Sequence, residues 1–274
     1  MPIRGDDQTI ETVVEVKQEI PGENQVSQSG LRQVFDTVTA DSGWKSFYKV
    51  GGITALIIMV LPLAEVAISF LPGVGQLSAG TVTVIDWFTL FQNHWFLALR
   101  NLGLLNIIGA AFLAPTIFAL YSALRRDSEA YAAFGTILFF VGLAVYLASS
   151  RAFPVLSLSS QYAVATTDAQ RSLLAAAGQA MLAEGQSRAG IPLMEFACLV
   201  ISAVMLKSRV FSKATAYAGI LGNALLIVVE IITTIARGLP SAGFVIAICG
   251  ALSLMTWYLL VGRRLLQLGA PQKH

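Results

Sequence analysis

The run AAFGTILFFVGLAVYLASSRAFP, residues 132–154, decides the class of fold. From Ala132 to Ser150 no residue is charged, and Arg151 and Pro154 then close the run and lead into a Ser/Gln segment. At about 1.5 Å per residue such a segment matches a hydrocarbon core roughly 30 Å thick. It reads as a membrane-spanning helix with an arginine at one mouth.

The whole chain agrees with that reading. Of its 274 residues 55% are hydrophobic and 12% charged, and the mean hydropathy is +0.69. Soluble domains carry about a quarter charged residues, so lipid explains the shortfall. A net charge of +2, with no basic run interleaved with aromatics, points away from nucleic acid. Cys198 and Cys249 lie inside apolar runs, which argues against a disulfide framework or a thiolate metal site. With His94 and His274 as the only histidines, nothing calls for a metal or another cofactor. The first apolar run begins near Val50, behind an acidic leader, which does not resemble a secretory signal.

Residues 1–30 carry Asp6, Asp7, Glu11, Glu15, Glu19 and Glu23 against Arg4 and Lys17, and hold no aromatic residue. Such a tail buries too little to offset its ordering entropy and is expected to be disordered and cytoplasmic. Leu31, Val34, Phe35 and Val38 then recur at helical spacing, predicting a short amphipathic helix over 31–48 that stops near Asp41-Ser42-Gly43. Trp44, Phe47 and Tyr48 with Lys45 and Lys49 form an interfacial belt. The membrane domain is expected over 49–265, followed by a cytoplasmic tail at 266–274.

Six spans are predicted, near 49–70, 100–122, 132–152, 190–207, 214–236 and 241–262. Pro115 is expected to kink the second. Gly219 with Gly222, Gly135 with Gly142, and Gly103 with Gly109 suit close helix approach. With both termini inside, eleven Lys and Arg residues fall on the cytoplasmic side, and Arg100, Arg151, Arg171, Arg188 and Arg237 fall opposite. That bias orients the chain N-in and C-in in the plasma membrane. The fold class is therefore an all-α bundle of six transmembrane helices with amphipathic interfacial helices.

Two long connections then face outward. In 71–99 Asp86 is a candidate N-cap for an aromatic helix. In 153–189 Thr167-Asp168-Ala169-Gln170 has the form of a capping box, with Leu173, Leu174, Ala177 and Met181 as an apolar stripe behind it. Both are candidates for lids over the outer mouth.

Counting residues from the span ends gathers charge at that mouth. Glu65 lies roughly 24 Å across from Lys49, and Glu230 roughly 25 Å across from Lys213. Glu195 lies roughly 7 Å and Asn106 roughly 9 Å below the outer entry, with Arg100, Arg151 and Arg237 at the rim. These seven residues are the candidate site. An ionisable group inside a span costs at least ~2.5 kcal/mol near the centre and needs a partner or a wet cavity. Two readings stand: ion pairs that lock helix register, or a ligand or proton site. Asn223, near mid-membrane, reads as packing glue between helices. His94 reads as an interfacial residue. No Ser/His/Asp set, phosphate loop or HExxH pair occurs.

The runs RAFPVLSLS (151–159), YAVATTDAQRSLLAAAG (162–178) and VFSKATAYAGIL (210–221) resemble prokaryotic integral membrane proteins grouped as domain of unknown function 4386. The resemblance covers about residues 45–265. It implies a multi-helix membrane protein and brings no activity and no site residues. The leading expectation is a non-enzymatic membrane protein whose outward-facing Glu/Arg pocket binds a small or lipid-like molecule, for sensing or accessory work. The alternatives are a proton-coupled secondary transporter and, last, an intramembrane enzyme with a glutamate acid or base. The bilayer is the one partner implied directly, and the sequence is silent on oligomeric state.

Overall fold

The computed structural model describes the backbone of residues 23–69, 82–183, 190–235 and 240–270, and side chains over 44–68, 82–183, 190–232 and 243–270. The elements are α1 (Glu23–Ser69), α2 (Val84–Asn101), α3 (Leu104–Ala148), α4 (Ala152–Val164), α5 (Asp168–Ala183), α6 (Gly190–Met205), α7 (Lys213–Ile235) and α8 (Pro240–Gly269). Among the described residues there is no strand. The chain divides into two units, Met1–Gly43 and Trp44–His274, and the packing and cavities described below belong to the second.

Four helical stretches are long and apolar enough to cross a membrane: Trp44–Ile68, Leu104–Val164, Lys213–Ile232 and Gly243–Gly269. Helix α6, Gly190–Met205, is equally apolar but shorter. Their outward faces carry Ile53, Leu63, Phe134, Ile137, Leu221 and Phe244, each more than half exposed. In water such surface would drive aggregation, whereas in lipid it is the ordinary exterior.

Several expected boundaries move. Helix α1 runs through Asp41-Ser42-Gly43 without the expected stop, and residues 23–30 of the acidic tail are helical; residues 1–22 lie outside the described residues. Residues 266–269 of the presumed C-terminal tail complete α8. Helix α3 contains Pro115 and is interrupted at Ser128, within the connection expected between the second and third spans, where the backbone is extended at φ −162° and ψ 80°. The reason is chemical. Arg125-Arg126-Asp127-Ser128-Glu129 is a charged pentad that cannot lie in hydrocarbon. The chain reverses there. Asn106 and Leu113 of the first limb border the same cavity as Tyr146 of the second, which an unbroken helix of 45 residues could not do. The limbs of α3, residues 104–127 and 129–148, are therefore an antiparallel pair.

Gly103 explains why the predicted second span starts late. Its φ of 94° is left-handed, so the chain turns there between α2 and α3 rather than running straight from Arg100.

A core of Ile117, Leu120 and Leu124 from the first limb, Phe139 from the second, Ile201 and Met205 from α6, and Trp257, Val261 and Leu265 from α8 is closed to the surroundings. Small residues let the backbones meet. A Cβ on Gly142 would lie 2.9 Å from the Gly190 carbonyl and 2.9 Å from the Met194 nitrogen. Gly135, Gly219 and Gly222 sit at similar contacts, as the sequence predicts, whereas Gly109 has ordinary room beside Leu61.

Hydrogen bonds supplement packing. Thr54 and Thr116 hydroxyls meet at 2.8 Å, and Thr116 donates to the Gly51 carbonyl at 3.0 Å, tying α1 to α3. The predicted aromatic belt is part of this joint: Trp44 and Phe47 pack on Phe118, and the Arg125 guanidinium lies 5.3 Å from the Trp44 ring.

Gly142→Ala is expected to force α3 and α6 apart and to cost about 1–3 kcal/mol, as overpacking does. Gly109→Ala is expected to be neutral or mildly stabilising. Unfolding in lipid discs, followed for both variants beside the parent, checks the contrast.

Candidate functional site

A cavity of about 390 Å³ opens between α1, both limbs of α3 and α6. Ile58 and Ala110 are its buried floor, while Pro62 and Asn106 are exposed at its edge. Leu61, Leu105, Leu113, Ile191 and Met194 make the walls apolar; polar atoms come from Glu65, Asn106 and Tyr146. Helix spacing explains the wall: Ile58, Leu61, Pro62 and Glu65 fall at intervals of three, one and three on one face of α1.

Two of the seven predicted residues, Glu65 and Asn106, line this cavity. Arg100, buried at the end of α2, donates from Nη2 to the Glu65 carbonyl at 3.1 Å and from Nη1 to Asn101 Oδ1 at 3.1 Å. Arg151, half-buried between α3 and α4, borders a neighbouring small cavity and donates to the Leu182 carbonyl at 3.0 Å. Glu195 is buried on α6, one residue past Met194 of the cavity wall, and within electrostatic reach of Tyr258 on α8. Glu230 is half-buried on α7 and does not border the cavity. Arg237 lies outside the described residues. Glu65, Arg100, Glu195 and Glu230 each have a further interaction within the protein.

One side chain, Asn223, behaves differently from expectation. Asn223 donates to Gly219 of its own helix at 2.7 Å, not across to a neighbour. His94 is exposed at a kink inside α2, with φ −145° and ψ 63°. Among the described residues no cluster of three or more His, Cys, Asp or Glu is arranged to hold a metal ion.

Tyr146 and Asn101 escaped the sequence reading. Tyr146 sits inside an unbroken apolar run, and only the return of α3 places it opposite Asn106. Asn101 became visible as a partner only once Arg100 was found buried.

The two long connections contain α2, α4 and α5. They pack on one another through Phe88, Phe91 and Val155, and the Ser159 hydroxyl donates to the Phe88 carbonyl at 3.1 Å. Residues 70–81 and 184–189 of these connections lie outside the described residues. Thr83, not Asp86, is the N-cap of α2, and Asp86 occupies the third helical position of a full capping box. Its carboxylate accepts from the Thr83 hydroxyl at 2.8 Å and from the Thr83 N–H at 2.7 Å. At α5 the box is only half formed. Thr167 accepts from the Gln170 N–H at 3.2 Å, while Gln170 Oε1 accepts from Thr166, one residue before the cap.

The Thr83 hydroxyl, and then its N–H, holds the Asp86 carboxyl below its ordinary value of 3.8. A depressed carboxyl contributes stability above the unfolded value and loses it as pH falls through the folded one. The protection of amides in the first turn of α2, relative to their intrinsic exchange rates, is therefore expected to fall as pH drops below 3.8. Asp86→Asn should abolish that pH step; a step of unchanged size would assign it to another carboxyl.

Residues 94–262 match the model of a protein family described as a domain of unknown function (DUF4386). No curated protein and no solved structure matches the chain.

Proposed function

The chain belongs to the DUF4386 family, and we propose that it is a six-crossing membrane protein that binds a small amphipathic molecule in the chamber beside Glu65 and Asn106. The crossings are α1, the two limbs of α3, α6, α7 and α8. The reversal at Ser128 supports counting α3 twice. Helix α6 spans roughly 24 Å, enough for a thinned or locally adjusted bilayer. The lysine and arginine bias supports cytoplasmic termini and the plasma membrane. With that topology the chamber falls in the outer half of the bilayer.

The observation that carries the reading is the chamber itself. Its volume of about 390 Å³ lies within the range of about 300–1,000 Å³ usual for small-molecule sites. Apolar walls with a few polar groups at one end match the lining such sites favour. The described residues near it offer no nucleophile with an adjacent base, so binding without chemistry is the reading that fits, and sensing or accessory work follows from binding.

Gly109 supplies the test, because it borders the chamber and has room for a side chain. Native mass spectrometry of the protein in lipid discs is expected to show a retained small molecule or lipid. Gly109→Leu, whose Cβ has ordinary room beside Leu61, is expected to fill the chamber and release it. Retention of the same molecule by a folded Gly109→Leu protein would end the reading.

Topology is checked separately by cysteine labelling in cells. A cysteine at Ser128 is expected to react only after permeabilisation, and one at Ser187 without it. The opposite pattern inverts the orientation and moves the chamber to the inner leaflet.

A further inference from the structure

Beside the chamber lies a second cavity of about 10 Å³, bordered by Leu102, Gly103, Ile107, Ser149, Ser150 and Arg151, with Tyr146 shared between the two. Adjacent residues of one turn of α3 face the two spaces: Leu105 and Asn106 border the chamber, Gly103 and Ile107 the small cavity. The two are therefore next-door spaces with Tyr146 as their common wall.

Arg151 gives the small cavity its character. Its Nη1 donates to the Leu182 carbonyl, while its Nε–H is buried with no hydrogen-bond partner among the described residues. A buried guanidinium donor without an acceptor is costly, and natural structures fill such gaps with a water or an anion. The Ser149 hydroxyl is committed to the Tyr146 carbonyl at 3.1 Å, which leaves the Ser150 hydroxyl as a second donor on the same rim. A space of about 10 Å³ admits about one water-sized atom. It fits a single oxygen of a phosphate or carboxylate, the rest of the head remaining at the edge.

Resting on the reading of the chamber as a ligand site, we propose that the ligand is an anionic single-chain amphiphile. Its chain lies in the chamber, and one oxygen of its head passes Tyr146 to accept from Arg151. The chamber is too small for two acyl chains, and its walls are aliphatic over most of their extent. The charge at this end favours an anion. Arg151 borders the small cavity, whereas Glu65, whose main-chain carbonyl accepts from Arg100, borders the chamber. An amine head would meet Arg151 as a like charge.

The test uses the full chain in discs of phosphatidylcholine, with dodecyl phosphate, dodecanoate, dodecanol and dodecylamine as probes and native mass spectrometry as readout. The two anions are expected to bind about tenfold more tightly than the alcohol, the scale of one charge-assisted hydrogen bond, with the amine weakest. Arg151→Gln is expected to bring the anions down to the level of dodecanol and to leave dodecanol itself unchanged. Arg151→Lys keeps the charge and is expected to retain part of the preference, which covers a failure of the glutamine variant to fold. Phosphate binding above carboxylate would identify a phospholipid-type head, and the reverse a fatty acid; either supports the assignment.

Two results would overturn it, and they are distinct. If all four probes bind alike, Arg151→Gln changes nothing and Gly109→Leu still abolishes binding, the chamber is a site but the seat at Arg151 holds only water. If no probe is displaced by Gly109→Leu, the chamber reading itself fails.

Discussion

The backbone contact between Gly142 and Gly190 governs the geometry around it. With no side chain on either residue, the second limb of α3 meets α6 at main-chain distance, and Tyr146, one turn beyond Gly142, is brought to the side of Ile191 and Met194. Lipid tails are as apolar as leucine, so hydrophobicity gives these helices little reason to prefer one another over solvent. Close packing of backbone on backbone supplies the preference instead. A chamber forms where that seam diverges from α1, because Gly109 and Ala110 face Ile58 and Leu61 with side chains too small to fill the gap. The void is a consequence of where the small residues are spent.

Polar groups set the remaining registers. The Thr54–Thr116 pair and its bond to the Gly51 carbonyl fix α1 on the first limb of α3, and Ser253 and Arg264 of α8 donate to the carbonyls of Ala218 and Val210. Each is worth on the order of 1 kcal/mol in a bilayer, modest beside the core. Their direction matters more than their size. A threonine or arginine in lipid must find an acceptor, and only one register of neighbouring helices provides it. Arg100 obeys the same rule: almost wholly buried, it reaches the Glu65 carbonyl and so ties α2 to the end of α1.

How much of this was legible in the sequence depended on whether the signal was local. Apolar runs, the charged pentad at Ser128 and the glycines at 135, 142, 219 and 222 are local features, and their consequences could be read directly. The capping box of α2 was half legible. Asp86 was recognised, but the cap is Thr83, because Thr-x-x-Asp imitates the usual Thr-x-x-Glu with a shorter acid. The candidate site was legible only as a layer. Counting at 1.5 Å per residue gives depth along a helix, but not the direction in which a side chain points around it. Depth put Glu65, Asn106, Glu195 and Glu230 together; azimuth separates them, with two on the chamber and two elsewhere. Tyr146 was hidden for the complementary reason. Its importance lies in what faces it across a helical hairpin.

That separation changes what the charges mean. Glu65, Arg100, Glu195 and Glu230 each have interactions inside the protein. Arg151 borders the small cavity. It stands at the junction of two helices, half-buried, with one neutral carbonyl as its hydrogen-bond acceptor and a donor left over. A strut of that design would be wasteful, since a neutral carbonyl recovers only part of what dehydrating a guanidinium costs. A cation at the rim of that small cavity is accounted for if an anion comes and goes there. The adjoining space has room for one atom, next to a chamber with room for an apolar chain. Fixed cation, single-atom seat and apolar chamber together describe the outline of an amphiphile with a negative head.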